Sequence, residues 1–320
     1  MRIGFVILSH NNPQQLRRLV LCLQRAYDNP PIAIHHDFGQ SSLRQEDFPS
    51  DIQFVTPHLK TRWGKFSLVA AALRALELLY QKTVPDWFFL LSAADYPTMP
   101  AEKVAQELAA SGVDALLDYR EVPNLFDPRH KIRYKLSIKK YYTCFVSSQF
   151  GSAFPMPENP ALKAFMMPKN VELAWRRYIA ANVWFPVPQL GRYTVYLPFD
   201  DWRAPFTPDF KCFWGDQWFA GSRNAAKILL NPTDKHVQFR RHLRRRDDVS
   251  DECYYQTVLV NTPGLKISKA TRRFCDWPDG AHPKVLSLHD LPAIISSDAY
   301  FARKFGPDAQ VLDEIDKMLL

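Results

Sequence analysis

The run Phe88-Phe89-Leu90-Leu91 constrains this chain most. It is too short for a helix and leaves no polar position for a solvated face, so it belongs in the middle of a sheet covered on both sides. Ahead of it Val69, Ala72, Leu73, Leu76, Leu79 and Tyr80 recur at steps of three or four, the spacing of one helical face turned to a core. The polar, aromatic loop Thr61-Arg62-Trp63-Gly64-Lys65-Phe66-Ser67 opens that helix, and the acidic turn Ser92-Ala93-Ala94-Asp95-Tyr96-Pro97 closes the strand. Ligands of open α/β sheets bind beyond the carboxyl ends of the strands, which makes Asp95 a site candidate. On local grounds alone it serves equally as a cap for the turn before Pro97 and Pro100.

The same alternation runs through the first 120 residues. Met1 to Leu8 is a first strand; Pro13 stands at a first helical position, and Leu16, Leu19, Val20 and Leu23 predict a helix over 13 to 26. Ile32 to Asp37 reads as a second strand ending in an acid, and Ile52 to Val55 as a third. With a helix near 101 to 110 and a strand at Ala115-Leu116-Leu117, the order predicts a mostly parallel central sheet with helices on both faces. His10, Asp37, Trp63 and Asp95 then gather at one sheet edge, where a nucleotide can lie. His35 and His36 are adjacent on a strand and point to opposite faces, so they read as structural rather than as joint metal ligands.

Charge and composition narrow the partners. There are 41 Lys and Arg against 33 Asp and Glu, a formal charge of +8, which suits an anionic partner. Only 11 glycines beside 25 prolines, with neither GxGxxG nor GxxxxGK[ST], leave phosphate binding to side chains. Cys22, Cys144, Cys212, Cys253 and Cys275 are odd in number and widely spaced, against a disulfide framework or a zinc site and consistent with a reducing cytoplasm. No apolar run approaches the roughly 20 residues that span a bilayer, and the start has no signal-peptide order.

Two basic runs stand out. Arg129 to Tyr142 interleaves six Lys and Arg with Tyr134, Tyr141 and Tyr142, and Arg240 to Arg246 is answered by Asp247, Asp248, Asp251 and Glu252. Each suits an anionic polymer, but the plainer assignment is a solvated helix or edge. Residues 154 to 210 are rich in proline and tryptophan, as in an irregular surface segment that houses acceptor specificity. Glu252 opens an apolar-periodic stretch with Tyr255, Val258 and Leu259, where a first-turn acid is favoured by the helix dipole. Val311, Leu312, Ile315 and Leu319 mark a closing helix. One compact domain is expected over 1–320: a nucleotide-sugar-binding half (1–120), an acceptor-side region (121–210), and a half carrying the base and diphosphate cations (211–320).

Together, His35-His36-Asp37, Trp63-Gly64, Leu91 to Pro97, Trp218-Phe219, Ser222-Arg223, Glu252 with Thr257, and Phe301-Ala302-Arg303-Lys304-Phe305 resemble the core-2/I-branching N-acetylglucosaminyltransferase and peptide O-xylosyltransferase family, glycosyltransferase family 14. The resemblance covers nearly the whole chain, and its Ala-Ala-Asp-Tyr-Pro and Phe-Ala-Arg-Lys-Phe stretches look closest to the xylosyltransferase branch. It implies a GT-A type fold and an inverting, UDP-sugar-dependent transferase that needs no divalent metal or other cofactor. In keeping with this, no free-standing Asp-x-Asp follows a strand, and Asp276-Trp277-Pro278-Asp279 has the wrong spacing.

By the same resemblance Glu252 is the catalytic base, and Asp37, Thr61 and Trp63 hold the uridine. Arg303, Lys304 and Lys284 stabilise the diphosphate, while Asp95, Gln217 and Trp218 lie on the donor-sugar or acceptor side. A base within reach of the attacking hydroxyl and fixed cations where charge develops are what such a reaction requires. Gln217 stands where the xylosyltransferase pattern has an acid, leaving xylose and N-acetylglucosamine both open. The expected partners are a UDP-sugar and a glycan or lipid-linked oligosaccharide acceptor, with no nucleic acid. The expected setting is the cytoplasm of a bacterium building surface polysaccharide, with basic patches touching the inner face of an anionic membrane. Two alternatives stand beside this: a non-catalytic binder of anionic glycan or nucleic acid, and a metal-dependent GT-A enzyme with Asp95 as ligand.

Overall fold

The computed structural model describes residues 1–122, 205–245, 249–278, 283–306 and 310–320 in full, and 143–150 and 193–200 as backbone. The chain divides into two compact units, one formed by 1–124 with 205–320 and the other by 125–204. Within the second unit, β8 (Thr143–Phe150) and β9 (Tyr193–Asp200) pair as an antiparallel ribbon from Thr143↔Asp200 to Phe150↔Tyr193. The basic stretch 129–142 and most of the proline-rich stretch lie outside the described residues.

The first unit follows the alternation of its sequence. β1 (Ile3–Ser9) leads into α1 (Pro13–Ala26), then β2 (Ile32–His36) and β3 (Gln53–Phe54), α2 (Phe66–Lys82), β4 (Trp87–Ser92), β5 (Tyr96–Pro97), α3 (Ala101–Ala110), β6 (Ala115–Leu116) and β7 (Arg120–Glu121). After the second unit come β10 (Phe213–Trp214), β11 (Ala220–Ser222), α4 (Arg223–Leu230), α5 (Asp234–Arg244), α6 (Tyr254–Val260), β12 (Ile267–Ser268), β13 (Arg273–Cys275), α7 (Leu291–Ser296), β14 (Phe301–Arg303) and α8 (Gln310–Leu319). Asn12 precedes α1 in the left-handed region, a conformation asparagine tolerates better than most residues.

The main sheet has seven strands in the order β12-β6-β11-β4-β1-β2-β3. β3, β2, β1 and β4 are mutually parallel, β11 is antiparallel to both neighbours, and β12 is parallel to β6. β4 lies inside this sheet, between β1 (Phe5↔Phe89) and β11 (Ala220↔Phe89), and Trp87 to Leu91 are all buried. Gly221 makes the crossing with β11 feasible, because a Cβ there would stand 2.7 Å from the Phe88 ring. Val69, Ala72, Leu76 and Leu79 of α2 are buried as their spacing predicts, while Leu73 and Tyr80 are half-buried.

A smaller sheet runs β13-β14-β5. β14 pairs parallel with β13 (Arg273↔Phe301, Cys275↔Arg303) and antiparallel with β5 (Ala302↔Tyr96). Thus the Ala-Ala-Asp-Tyr-Pro and Phe-Ala-Arg-Lys-Phe stretches, about 200 residues apart in sequence, are hydrogen-bonded neighbours, reinforced by Phe305 N–H donating to Ala94 O at 2.9 Å. The ring of Phe89 meets Phe301 at 5.1 Å and Phe5 at 6.0 Å between centroids, joining the two sheets through one core. Phe89→Ala is expected to lower the unfolding free energy by about 3–5 kcal/mol in a urea titration, since it removes a buried ring that both sheets share.

Candidate active site

The carboxyl ends of β1, β2 and β4 are stitched together by Asp37 N–H to Ser9 O (2.9 Å) and Ala93 N–H to Leu8 O (3.0 Å). Asp37 follows β2 directly and is buried. Its Oδ2 accepts from Thr61 N–H (2.6 Å), Thr61 Oγ1 (2.7 Å) and Gln40 Nε2 (2.7 Å), and its Oδ1 from Gly39 N–H (3.0 Å). Burial alone would raise the carboxyl pKa, but these donors outweigh it and hold the group well below the usual carboxylate range. Asp37 therefore stays ionised and ties down the loop that carries Thr61. Trp63, two residues on, is 81% exposed.

His35 and His36 face different partners. His35 Nε2 accepts from Leu59 N–H at 2.9 Å; His36 sits 3.1 Å from Ser9 Oγ and 2.9 Å from Ser41 O. They are structural, as their adjacency implies. Among the described residues no group of three or more His, Cys, Asp or Glu is placed to hold a metal ion.

Glu252 ends a 3-10 turn, Ser250–Glu252, rather than lying inside a helix; α6 begins two residues later. Backbone bonds fix this turn on two sides. Ser250 N–H donates to Gly64 O (2.8 Å), joining it to the Trp63 loop, and Gly215 N–H donates to Glu252 O (2.9 Å), joining it to the loop that leads to Gln217 and Trp218. Gly215 is required there, because a Cβ would be driven into the carbonyl of Asp118. The half-buried Glu252 thus stands where the Trp63 and Trp218 loops converge.

The candidate cations come from other segments. Lys284 and Lys304 lie on neighbouring chains, joined by Leu286 N–H to Lys304 O (2.9 Å) and Lys304 N–H to Lys284 O (3.4 Å). The Lys284 ammonium is engaged by Asp290 at 2.6 Å, a hydrogen bond that raises its pKa. Lys304 makes no ion pair among the described residues and is half-buried. The Arg303 guanidinium lies 4.5 Å over the buried ring of Trp218.

Asp95 is placed differently from its expected position beside the sugar. It is 0% exposed, held by Arg273 at 2.8 Å and near Arg303 at 3.3 Å. A carboxylate so enclosed has no face to offer a sugar or a metal ion, which removes the basis for reading Asp95 as a metal ligand. Gln217 is also buried, and its Nε2 has no hydrogen-bond partner among the described residues. Sequence reasoning missed two members of this group. Arg273 hides in an Arg272-Arg273 pair, and the carboxyl of Asp216 is pushed up by burial against the opposing pull of Arg303 and Arg273. The only sequence signal for Arg273 is a cation leading into the apolar Phe274.

The basic run at 240–246 lies largely on α5 and is partly spent on structure. Arg240 donates to Tyr254 Oη (2.7 Å) and Leu229 O (3.0 Å), and Arg244 lies 5.0 Å over Phe66. No helix among the described residues is long and apolar enough to cross a membrane.

Comparison with known proteins agrees with this architecture. The Core-2/I-Branching enzyme family matches residues 3–149 and 187–296, and the chain belongs to that family of GT-A-like glycosyltransferases. It is 25% identical to beta-glucuronosyltransferase GlcAT14A of Arabidopsis thaliana over 98% of its own length and 62% of that protein. It is 26% identical to beta-glucuronosyltransferase GlcAT14B of the same plant, over 100% of its own length and 66% of that protein. The chain thus spans just under two thirds of these relatives.

Burial pushes the His35 pKa down to about 4, against about 6.5 in an unfolded chain. Protons therefore bind the unfolded state preferentially. The stability contributed by neutral His35 is complete above pH 6.5 and is lost as pH falls toward 4. Urea titrations across that range should show a loss of about 2–3 kcal/mol from this group, with a shallower slope in His35→Gln.

Proposed function

We propose that this chain is an inverting glycosyltransferase that moves a sugar from a UDP-sugar to a glycan hydroxyl, forming a β-linkage without a divalent metal. The observation that carries this is the backbone anchoring of the Glu252 turn between the Trp63 loop and the Gly215–Trp218 loop. In this reading Glu252 is the carboxylate that works with the Trp63 wall and the Arg303 and Lys304 cations.

In this scheme Thr61 and Trp63 bound the uridine, and Asp37 holds their loop in place. The acceptor hydroxyl gives its proton to Glu252 as its oxygen attacks the anomeric carbon from the face opposite the diphosphate. The bond to the diphosphate breaks on the other side. Arg303 and Lys304 then meet the charge that accumulates on UDP, the guanidinium as a rigid fork and the ammonium as a point charge. Lys284 adds to this field while tethered by Asp290. The sequence resemblance puts xylose and N-acetylglucosamine forward as donors, and the names of the Arabidopsis relatives add glucuronic acid. The acceptor is a glycan or lipid-linked oligosaccharide, which fits a role in polysaccharide synthesis.

The test is UDP release from UDP-xylose, UDP-N-acetylglucosamine and UDP-glucuronic acid with glycan acceptors in the presence of chelator. One donor should be turned over, and Glu252→Gln should still bind UDP while turning over at least about a hundredfold more slowly. Turnover lost in chelator and restored by a divalent ion would overturn the metal-free scheme. An unimpaired Glu252→Gln would overturn the base.

A further inference from the structure

Four charged side chains are drawn together from four segments. Asp95 follows β4, Arg273 is on β13, Arg303 is on β14, and Asp216 is in the loop before Trp218. Arg273 is 4% exposed and saturated by structure, with Nη1 on Asp95 Oδ2 (2.8 Å) and Nη2 on Leu90 O (2.7 Å). Asp95 Oδ2 also accepts from Ser92 N–H at 3.1 Å. Its other oxygen, Oδ1, lies 3.3 Å from Arg303 Nε as an ion pair, outside hydrogen-bond geometry.

Arg303 differs from Arg273 in what remains to it. Its Nε lies 3.3 Å from Asp95 as an ion pair and its guanidinium lies over Trp218, while its two Nη groups make no hydrogen bond among the described residues. A guanidinium paired with a buried carboxylate on one side and covered by an indole on one face has fewer directions in which to donate. Its remaining donors form the fork that suits phosphate oxygens.

We infer that Asp95 is a positioning residue for the leaving group: backed by Arg273, it holds the Nε edge of Arg303 so that the Nη fork faces the diphosphate of the bound nucleotide. This deepens the proposed function and rests on its assignment of Arg303 to the diphosphate. Asp95 touches neither sugar nor nucleotide. It acts through Arg303, and Arg273 holds its carboxylate in place.

The role has a signature that a merely structural residue lacks. Losing the grip on Arg303 weakens binding of the diphosphate but leaves the nucleoside alone, because Asp37, Thr61 and Trp63 belong to other segments. Isothermal titration with UDP and with uridine therefore separates the two cases, using the full chain, Asp95→Asn, Arg303→Met and the double variant. Asp95→Asn should weaken UDP binding at least tenfold and change uridine binding less than twofold. Added to Arg303→Met it should weaken UDP binding no further, since a residue acting through another has nothing left to act on.

Equal losses for UDP and uridine, an unchanged UDP affinity in Asp95→Asn, or full additivity with Arg303→Met would each overturn the inference. Should Asp95→Asn fail to fold, Asp95→Asn/Arg273→Met removes one charge of each sign, still frees Arg303 and is judged by the same criteria. A wild-type chain that binds no UDP would instead overturn the proposed function itself, and this inference with it.

Discussion

β4 can be polar nowhere from Trp87 to Leu91. Both of its edges are hydrogen-bonded, to β1 and β11, and Trp87 to Leu91 are buried, so polar chemistry enters only where the strand stops. It stops at Ser92, and the turn that follows places Asp95 under the site and sends Tyr96-Pro97 to pair with β14. From that turn the second sheet, the position of Arg303 and the packing of Trp218 all follow. The same logic holds one strand over, where β2 ends and Asp37 gathers four donors from the loops beyond it.

These two carboxylates are handled in contrasting ways. The charge of Asp37 is stabilised by dipoles, backbone and side-chain N–H and O–H groups that cost little to bury. Asp95 is neutralised by full charges, and breaking a buried pair of that kind typically costs about 3–5 kcal/mol because the remaining charge is left unpaired. Such an arrangement is a poor way to gain stability and a good way to fix direction. With Arg273 committed to Asp95 and Leu90 O, and the half-buried Asp216 nearby as a second acid, Arg303 is confined on one side by its ion pair with Asp95. The indole of Trp218 completes it, since a guanidinium stacks on an aromatic face with a modest gain of its own.

The basic character of the chain does not translate directly into an anion-binding surface. Of the run at 240–246, Arg240 supports Tyr254 and Leu229, and Arg244 covers Phe66. These side chains are bound to their own fold, which weakens the case for a simple polyanion binder built on that run. Net charge describes how a chain meets its surroundings; where the cations are held decides what they do.

The sequence by itself determined the framework. Hydrophobic periodicity placed α1 at 13–26 and α2 over its buried face, and the Phe88 to Leu91 run identified the inner strand, because burial acts on the spacing of side chains and that spacing is written in the chain. The family motifs likewise pointed to Asp37, Trp63, Glu252 and Arg303. Tertiary structure decided what these residues are able to do. Asp95 looked like a group facing ligand and is instead enclosed, since whether a carboxylate meets solvent or arginine depends on strands that arrive almost 180 residues later. Arg273 and Asp216 were silent for the same reason: a charge gains its role from the opposite charge beside it, and that neighbour is chosen by the pairing of β13, β14 and β5. Glu252 was expected in a first helical turn and sits at the end of a 3-10 turn, pinned by Gly64 and Gly215. Those two long-range hydrogen bonds have no counterpart in local sequence pattern.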